Sequence, residues 1–379
     1  MKLVVFFSRG MSLDGWRRGG ILDRELALYR MLTPHLERLT FVTYGSADDL
    51  ALAAQLPGVV VLPNRWHLPS NVYSVLAPLL HRRALAGATI FKTNQLNGAW
   101  CAVIAKRLCG KPLIVRCGFL WSDSIARVHP GTWRVPIARR LERWICRSAD
   151  AVIVAGDADR TALLERYSLD PAAVHVIGNF VDTALFRPMP EVTRVPGHIV
   201  FVGRLESEKN VEALVEAVVD LPGATLTVAG DGSLRTRLEA AAGQRPGAVT
   251  FLGTRPHPEL PVLLSRAAVF ALPSHYEGNP KALVEAMACG VPVVATRVPG
   301  IREVVVHGDT GYLCGTSAGE INAALRAVLE DGALRDRIGR GGLAYALAQS
   351  TLQSAAAREL AVLQAVAGGG NEAARESMT

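Results

Sequence analysis

Two glutamates eight positions apart, Glu277 and Glu285 in the stretch HYEGNPKALVEAMACG (275–290), are the first residues whose types and spacing suggest chemistry. Gly278, Asn279 and Pro280 follow Glu277 directly, whereas Glu285 lies inside the apolar pattern beyond them. Asn279 is a natural N-cap and Pro280 suits a first helical turn. Leu283, Val284 and Met287 then form a buried stripe, and Gly290 followed by Pro292 ends the helix. A helix start of this kind presents unpaired N–H groups and a positive dipole end, both of which attract phosphate. From Pro280 to Glu285 the helix rises about 7.5 Å. One carboxylate would thus meet hydroxyls on one side of a bound diphosphate and the other carboxylate hydroxyls on the opposite side. Ionised acceptors strengthen such bonds. Two solvated surface charges are the alternative, and the pair alone does not decide.

A second cluster follows the apolar run HIVFV. GRLESEKN supplies Gly203, Arg204 and Lys209, where Arg204 offers a planar fork and Lys209 a mobile point charge for a diphosphate. Taken singly, both also read as surface charges. AGDGS and FLG end the next two apolar runs with glycines that serve tight turns. Asp157-Ala158-Asp159 spells the D-x-D of metal-assisted nucleotide binding, but it opens a helical pattern where Asp157 reads as a cap. The six cysteines make no C-x-x-C pair and suit reduced, packed thiols. With no His/Cys cluster either, no required metal is expected and no cofactor is implied.

The elements that must carry these residues are legible along the chain. Short β-branched runs alternate with helix-length segments: KLVVFF, LTFVTY, GVVVL, ATIFK, LIVRC, AVIVA and VHVI, then HIVFV, ATLTVAG, AVTFLG, VFALP and PVVAT. Such alternation means βαβ units, and continuous apolar strands mean sheets covered on both faces. The proline-rich FVDTALFRPMPEVTRVPG separates the two series as a linker. The expected fold is α/β, two doubly wound parallel-sheet domains facing across a cleft, with ligands beyond the carboxyl ends of the strands. The first spans 1–185, with a helix near 350–366 packing back on it; the second spans 196–349. Residues 367–379, AGGGNEAARESMT, read as a disordered tail.

Bulk properties narrow the class. The 379 residues are half hydrophobic and one-fifth charged, which is globular. The apolar start of MKLVVFFSRG is too short for a signal or a membrane span. Charge is uneven: residues 1–190 hold 24 Lys/Arg against 14 Asp/Glu, and the remainder 17 against 20. Arg127, Arg134, Arg139, Arg140, Arg143 and Arg147 crowd residues 127–147 around one acid, Glu142, with Trp133 and Trp144 interleaved. That composition suits peripheral contact with an anionic bilayer. A solvated helix whose tryptophans pack inward is the plainer alternative.

In order along the chain, GG, AD-AVIVAG, VIGNFVDTALFRP, FVGRL-ESEKN, VAGDG, VTFLG, LPSHYEGNPKALVEAMACGVPVVAT and GDTGYL resemble the retaining glycosyltransferases of family 4, which have the two-Rossmann GT-B fold. The resemblance covers nearly all of residues 1–350, and the E-x7-E block with GRL…EK is its specific part. It implies that Arg204 and Lys209 bind the donor diphosphate. Glu277 would hold the transferred sugar, with Gly278, Asn279 and Pro280 beside it, and Glu285 the nucleotide ribose; Leu252 and Gly253 would line the base. Leu283 is included on the same helix. The implied reaction moves a hexose from a UDP- or GDP-sugar to an acceptor hydroxyl with retention of configuration. A polysaccharide, lipid-linked oligosaccharide or glycolipid is the implied product, made in the cytoplasm or at the inner face of the membrane. No nucleic-acid partner is expected.

Gly19 and Gly20, before the amphipathic ILDRELALYRML, match the family's loop that approaches donor phosphate and acceptor; an ordinary βα turn is the alternative. Two places where the family often carries histidine read FKTNQLNGAW and VRCGFLWSDS here, leaving Asn94 and Arg116 as acceptor-side candidates. A nucleotide-sugar epimerase on the same frame would need acid/base carboxylates and histidines in the cleft, which FKTNQ and GRL…EK match poorly. A non-catalytic nucleotide or nucleic-acid binding protein would instead draw its affinity from the basic first half and lose it steeply with salt.

Overall fold

The computed structural model describes residues 1–54, 56–128 and 131–376, with side chains described for all of these but 128 and 370–376. Within them the chain forms two compact units: Met1–Gly178 together with the segment from Ala356 onward, and Asn179–Ala355. Each is built on one sheet.

The first sheet comprises β1 (Lys2–Phe6), β2 (Arg38–Val42), β3 (Val59–Leu62), β4 (Ile90–Thr93), β5 (Leu113–Cys117), β6 (Ala151–Val154) and β7 (Val174–Val176), in the order β3-β2-β1-β4-β5-β6-β7. The second comprises β8 (His198–Val202), β9 (Thr225–Ala229), β10 (Val249–Gly253), β11 (Val269–Leu272), β12 (Val293–Thr296) and β13 (Tyr312–Cys314), in the order β10-β9-β8-β11-β12-β13. Neighbouring strands are parallel throughout. Parallel strands need crossover connections, and helices supply them, so the central strands are buried on both faces. Every residue of LIVRC, AVIV, VFAL and VVAT is accordingly buried. β13 has three residues, too few to show a period, and the sequence did not mark it as a strand.

Both sheets reverse their strand order once, the first between β1 and β4 and the second between β8 and β11. At such a reversal the connections on either side leave in opposite directions, opening a crevice beyond the strand ends. The crevice of the second unit carries the Glu277 and Lys209 loops.

Several local expectations shift. The helix Asp157–Tyr167 is capped by Gly156, so Asp157 is its first residue and not its cap; its charge still suits the positive dipole end. Gly19 and Gly20 do not form a simple βα turn. A six-residue helix, Leu13–Arg18, intervenes, Gly19 closes it, and Gly20 adopts φ +67° as the chain turns into the helix Leu22–Leu32. The C-terminal helix runs Leu352–Glu376, so 367–376 of the expected tail is helical, and 377–379 lie outside the described residues. Extending an already nucleated helix costs far less than starting one, which lets the Ala-, Glu- and Arg-containing end continue through Gly368–Gly370.

That helix is tied into the first unit by buried charge. Glu359 is fully buried, with Lys92 Nζ at 2.9 Å and Arg116 Nη1 at 3.5 Å. Lys92 also donates to the Tyr29 hydroxyl at 3.3 Å, and Arg116 Nη2 donates to the Ile177 carbonyl at 3.4 Å. Burial alone pulls the Lys92 ammonium toward deprotonation, but the Glu359 carboxylate overrides it and holds the lysine above its ordinary value. Breaking such a pair from one side typically costs about 3–5 kcal/mol. Its geometry therefore fixes where the helix lies on β4 and β5.

Candidate functional site

In the second unit the loops after β8, β9 and β11 are interlocked before any side chain is considered. Gly203 N–H donates to Ala229 O at 3.0 Å, Leu205 N–H to Asp231 O at 2.9 Å, and Leu234 N–H to Leu205 O at 3.0 Å. This approach demands glycine. A Cβ on Gly230 would sit 1.8 Å from Gly203 O, and one on Gly232 would lie 2.5 Å from Leu205 O. The glycines of AGDGS thus serve more than their own turn: they let the GRL segment lie flat on the neighbouring loop.

Asn210 fixes the far end of the same segment. It adopts the left-handed conformation at φ +52°, which asparagine tolerates better than most residues. Its Nδ2 donates to Pro273 O at 3.1 Å and Thr316 O at 2.8 Å, bridging the ends of β11 and β13. His275 N–H donates to Glu208 O at 2.9 Å. Lys209, immediately before Asn210, is thereby aimed at the β11 loop.

Lys209 Nζ lies 2.6 Å from Glu277 Oε1, which also accepts from Ser274 Oγ at 2.6 Å. Glu277 is buried and Lys209 largely so, their side chains 9 % and 18 % exposed. The structure thus brings together two of the three residues chosen as catalytic. Arg204 stands apart, its side chain 72 % exposed and paired with Glu208 at 2.8 Å.

Asn279 is not the N-cap of the following helix. Pro280 holds that position and Lys281–Ala288 is helical. Asn279 instead turns toward Asn179, accepting its N–H at Oδ1 (3.3 Å) and its side-chain amide at the main-chain oxygen (2.6 Å). Leu283 is fully buried in the core of the second unit. Glu285, two residues further along, is 3 % exposed, and its Oε1 lies 2.9 Å from His257 Nε2. His257 in turn packs on Phe186, with ring centroids 4.8 Å apart. Leu252 and Gly253 end β10 at a bulge, Gly253 at φ +69° with its carbonyl accepting from Gly230 N–H at 2.9 Å.

Sequence reasoning missed Asn210, Ser274, His257 and Gly300. A Cβ on Gly300 would lie 2.1 Å from Gly278 O and 2.3 Å from Glu277 O, so the loop bearing Glu277 rests on bare backbone. The left-handed need at Asn210 and the lone histidine of PHPEL were visible signals; Ser274 and Gly300 had none without the fold.

In the first unit, the loops after β1 and β4 meet at the strand reversal. Asn94 N–H donates to Phe6 O at 2.9 Å, and its Oδ1 accepts from the Tyr29 hydroxyl at 3.2 Å. A Cβ on Gly98 would lie 2.6 Å from Arg9 N, so the two loops touch main chain to main chain. Gly19 and Gly20 follow the helix that leaves the β1 loop. Arg116, by contrast, is 8 % exposed and its guanidinium is engaged by Glu359 and Ile177.

The basic helix is amphipathic in fact. Arg134–Ser148 buries Ala138, Glu142, Ile145 and Cys146, while Trp133 and Ile137 are exposed to 70 % and 51 %. Trp144 is half-buried under the Arg107 guanidinium, so one tryptophan packs and the other does not. Glu142, the lone acid, is fully buried and accepts from Ser122 N–H (2.7 Å), Ser122 Oγ (2.6 Å) and the Tyr167 hydroxyl (2.5 Å). Residues 129–130 of the stretch lie outside the described residues. All six cysteines are unpaired, and burial raises the thiols of Cys146, Cys289 and Cys314 to about 12. Among the described residues no group of three or more His, Cys, Asp or Glu gathers that could hold a metal ion, and no helix is long and apolar enough to cross a membrane.

A family model described as glycosyl transferases group 1 matches residues 194–344, and one described as glycosyltransferase family 4 matches residues 19–185. A glycogen synthase of Mycobacterium tuberculosis is 32 % identical over 319 residues, spanning 79 % of this chain and 77 % of the relative. An alpha-D-kanosaminyltransferase of Streptomyces kanamyceticus is 29 % identical over 329 residues, 81 % and 84 % of the two chains. Among solved structures, HepE of Anabaena in complex with UDP superposes with a TM-score of 0.79 at 20 % identity, over 96 % of this chain and all of that one. A sucrose-phosphate synthase from Thermosynechococcus elongatus gives 0.79 at 20 % identity, over 97 % and 100 %. These structural likenesses establish the GT-B fold for the chain.

Gly300→Ala tests the placement of the Glu277 loop. The added methyl must push the 277–278 peptide aside, and misplacing a reacting group by about 1 Å can cost about 10²-fold in turnover. Sugar transfer is expected to fall by that order while the circular dichroism of the variant stays native. Undiminished transfer would show that the loop tolerates displacement.

Proposed function

The chain belongs to glycosyltransferase family 4, and from that premise we propose that it moves a hexose from a UDP- or GDP-sugar to an acceptor hydroxyl with retention of configuration. The observation that carries the reading is the Lys209–Glu277 contact at the β8/β11 reversal. A cation and a carboxylate held together there suit a substrate whose leaving group is anionic and whose transferred group is hydroxylated.

In this reading the diphosphate takes the Lys209 ammonium, with Arg204 swinging in from solvent and the main-chain N–H groups at the start of Lys281–Ala288 adding fixed positive potential. Negative charge grows on the departing diphosphate as the sugar becomes oxocarbenium-like, so donors aimed at it favour the transition state over the ground state. Glu277, relieved of the lysine, accepts from the sugar hydroxyls beside Gly278, Asn279 and Pro280. Its Oε1 still receives the Ser274 hydroxyl, which suits a hydrogen-bonding role. That supports departure and attack on one face, the diphosphate helping to deprotonate the acceptor.

Glu285 binds the ribose, and His257 is a positioning residue that fixes the carboxylate's rotation. Leu252 and Gly253 border the base. Gly19, Gly20 and Asn94 face the acceptor; Arg116 acts through the scaffold. We assign no protein-held metal or cofactor, so transfer should persist in EDTA.

The product in this reading is a polysaccharide, lipid-linked oligosaccharide or glycolipid, made in the cytoplasm at the inner face of the membrane. Exposed Trp133 and Ile137 on an arginine-rich helix support peripheral contact with an anionic bilayer. Flotation with phosphatidylglycerol vesicles should carry the protein at low salt and lose it in W133A/R139E/R140E. Equal flotation of both proteins would exclude this helix as the contact.

Glu277→Ala should leave binding of the nucleoside diphosphate nearly intact and lower transfer by about 10²–10³-fold. Glu285→Ala should weaken the nucleotide itself. Calorimetry with UDP and GDP alongside donor turnover separates the two, and parallel loss of binding and transfer in both variants would refute the division of roles.

A further inference from the structure

Lys209 and Ser274 donate to the same oxygen of Glu277, Oε1, each at 2.6 Å. The other oxygen is open. Among the described residues nothing donates to Oε2, yet it is not sealed from solvent.

The two donors differ in how firmly they are held. Lys209 carries its ammonium on a long flexible stem, 18 % exposed, so the charge can turn to a phosphate. Ser274 has no such freedom. It is fully buried two residues past β11, and a single torsion places its hydroxyl oxygen. The main chain around it is pinned as well. Thr296, fully buried at the end of β12, donates its hydroxyl to Ser274 O. On one side Pro273 O accepts from Asn210 Nδ2 at 3.1 Å, and on the other His275 N–H donates to Glu208 O at 2.9 Å. Three consecutive residues are thereby fixed to β12 and to the segment after β8, and the serine hydroxyl carries that rigidity to the carboxylate.

We propose that Ser274 is a positioning residue for sugar transfer: it holds Oε1 so that Oε2 faces the sugar hydroxyls once Lys209 has turned to the diphosphate. That Glu277 binds the sugar rests on the transferase reading above; that Ser274 acts through its Oε1 is a separate claim. A carboxylate this buried and left without any protein donor would turn to recover one, because an unmet acceptor bears its full desolvation cost. The serine removes that pull, so the carboxylate need not reorganise as charge develops. A bond between residues three apart also braces a turn, and experiment separates that plainer role from positioning.

The test is a double-mutant cycle of wild type, Ser274→Ala, Glu277→Ala and S274A/E277A. Nucleotide release is followed with whichever of UDP-glucose, UDP-N-acetylglucosamine, UDP-galactose and GDP-mannose the wild type turns over fastest. S274A alone should lower kcat about 10–10²-fold, as losing one hydrogen bond to a charged group does, and move the donor KM by less than about threefold. In the E277A background the same change should cost less than about twofold, since the oxygen it positions is gone. Calorimetry should find binding of the matching nucleoside diphosphate near wild type in all four proteins, which checks folding. Full kcat in S274A, or a loss that recurs undiminished in the E277A background, would overturn the proposal. Should S274A not fold, Ser274→Cys keeps the shape with a much weaker donor and takes its place in the cycle, with the same outcomes deciding. A wild type that turns over none of the four donors, or transfer unharmed by E277A, would sink the reading of Glu277 and the serine's role with it. Loss in E277A with no loss in S274A would sink the serine's role alone.

Discussion

A parallel sheet that reverses its strand order opens its crevice where the reversal falls, and in the second unit that is between β8 and β11. Lys209 comes from the loop after β8 and Glu277 from the loop after β11, and they meet at 2.6 Å. Everything else at this end of the sheet holds that contact in place. Gly230 and Gly232 let the β8 loop lie on its neighbour, Asn210 ties its far end to β11 and β13, and Gly300 gives the Glu277 loop a bare surface to rest on. In the proposed reaction the ion pair is an internal stand-in, each partner compensating the other until a diphosphate and a sugar replace them. Such preorganisation lowers the reorganisation needed when substrate charge develops.

The first unit uses the same topology with different chemistry. Its loops meet at the β1/β4 reversal around Asn94, but the strongest charges, Lys92, Glu359 and Arg116, lie in the core and serve to seat the C-terminal helix. Lys92 and Tyr29 link that cluster to Asn94 through the Tyr29 hydroxyl. The position of the Asn94 loop and the seating of the helix are therefore parts of one hydrogen-bonded chain. A buried lysine in a strand is tolerated because Glu359 and Tyr29 supply what water would otherwise give.

The sequence carried the sheet strands well because βαβ alternation and continuous apolar runs are local signals; β13 escaped because three residues have no period. Of the E-x7-E and GRL…EK segments, residue type and order singled out Lys209 and Glu277, which the fold brings to 2.6 Å. What failed was any feature set by a distant partner. Arg116 looked like a strand-end ligand, yet its partner Glu359 lies 243 residues away. Asn279 looked like a cap, but Asn179 claims its polar groups from 100 residues upstream and moves the helix start to Lys281. Glu285 gained His257 from 28 residues back. The glycines of AGDGS were visible as turns, but their close approach to the β8 loop needed the fold.

In the proposed reaction Lys209, held at the β8/β11 reversal, grips the terminal phosphate of a nucleotide. Calorimetric titration of Lys209→Ala and wild type with UDP and UMP tests it most directly. The substitution should weaken UDP by about tenfold or more, as losing a charged hydrogen bond does, and leave UMP nearly unchanged. UDP binding unaffected by the substitution, or UMP weakened as much as UDP, would contradict it.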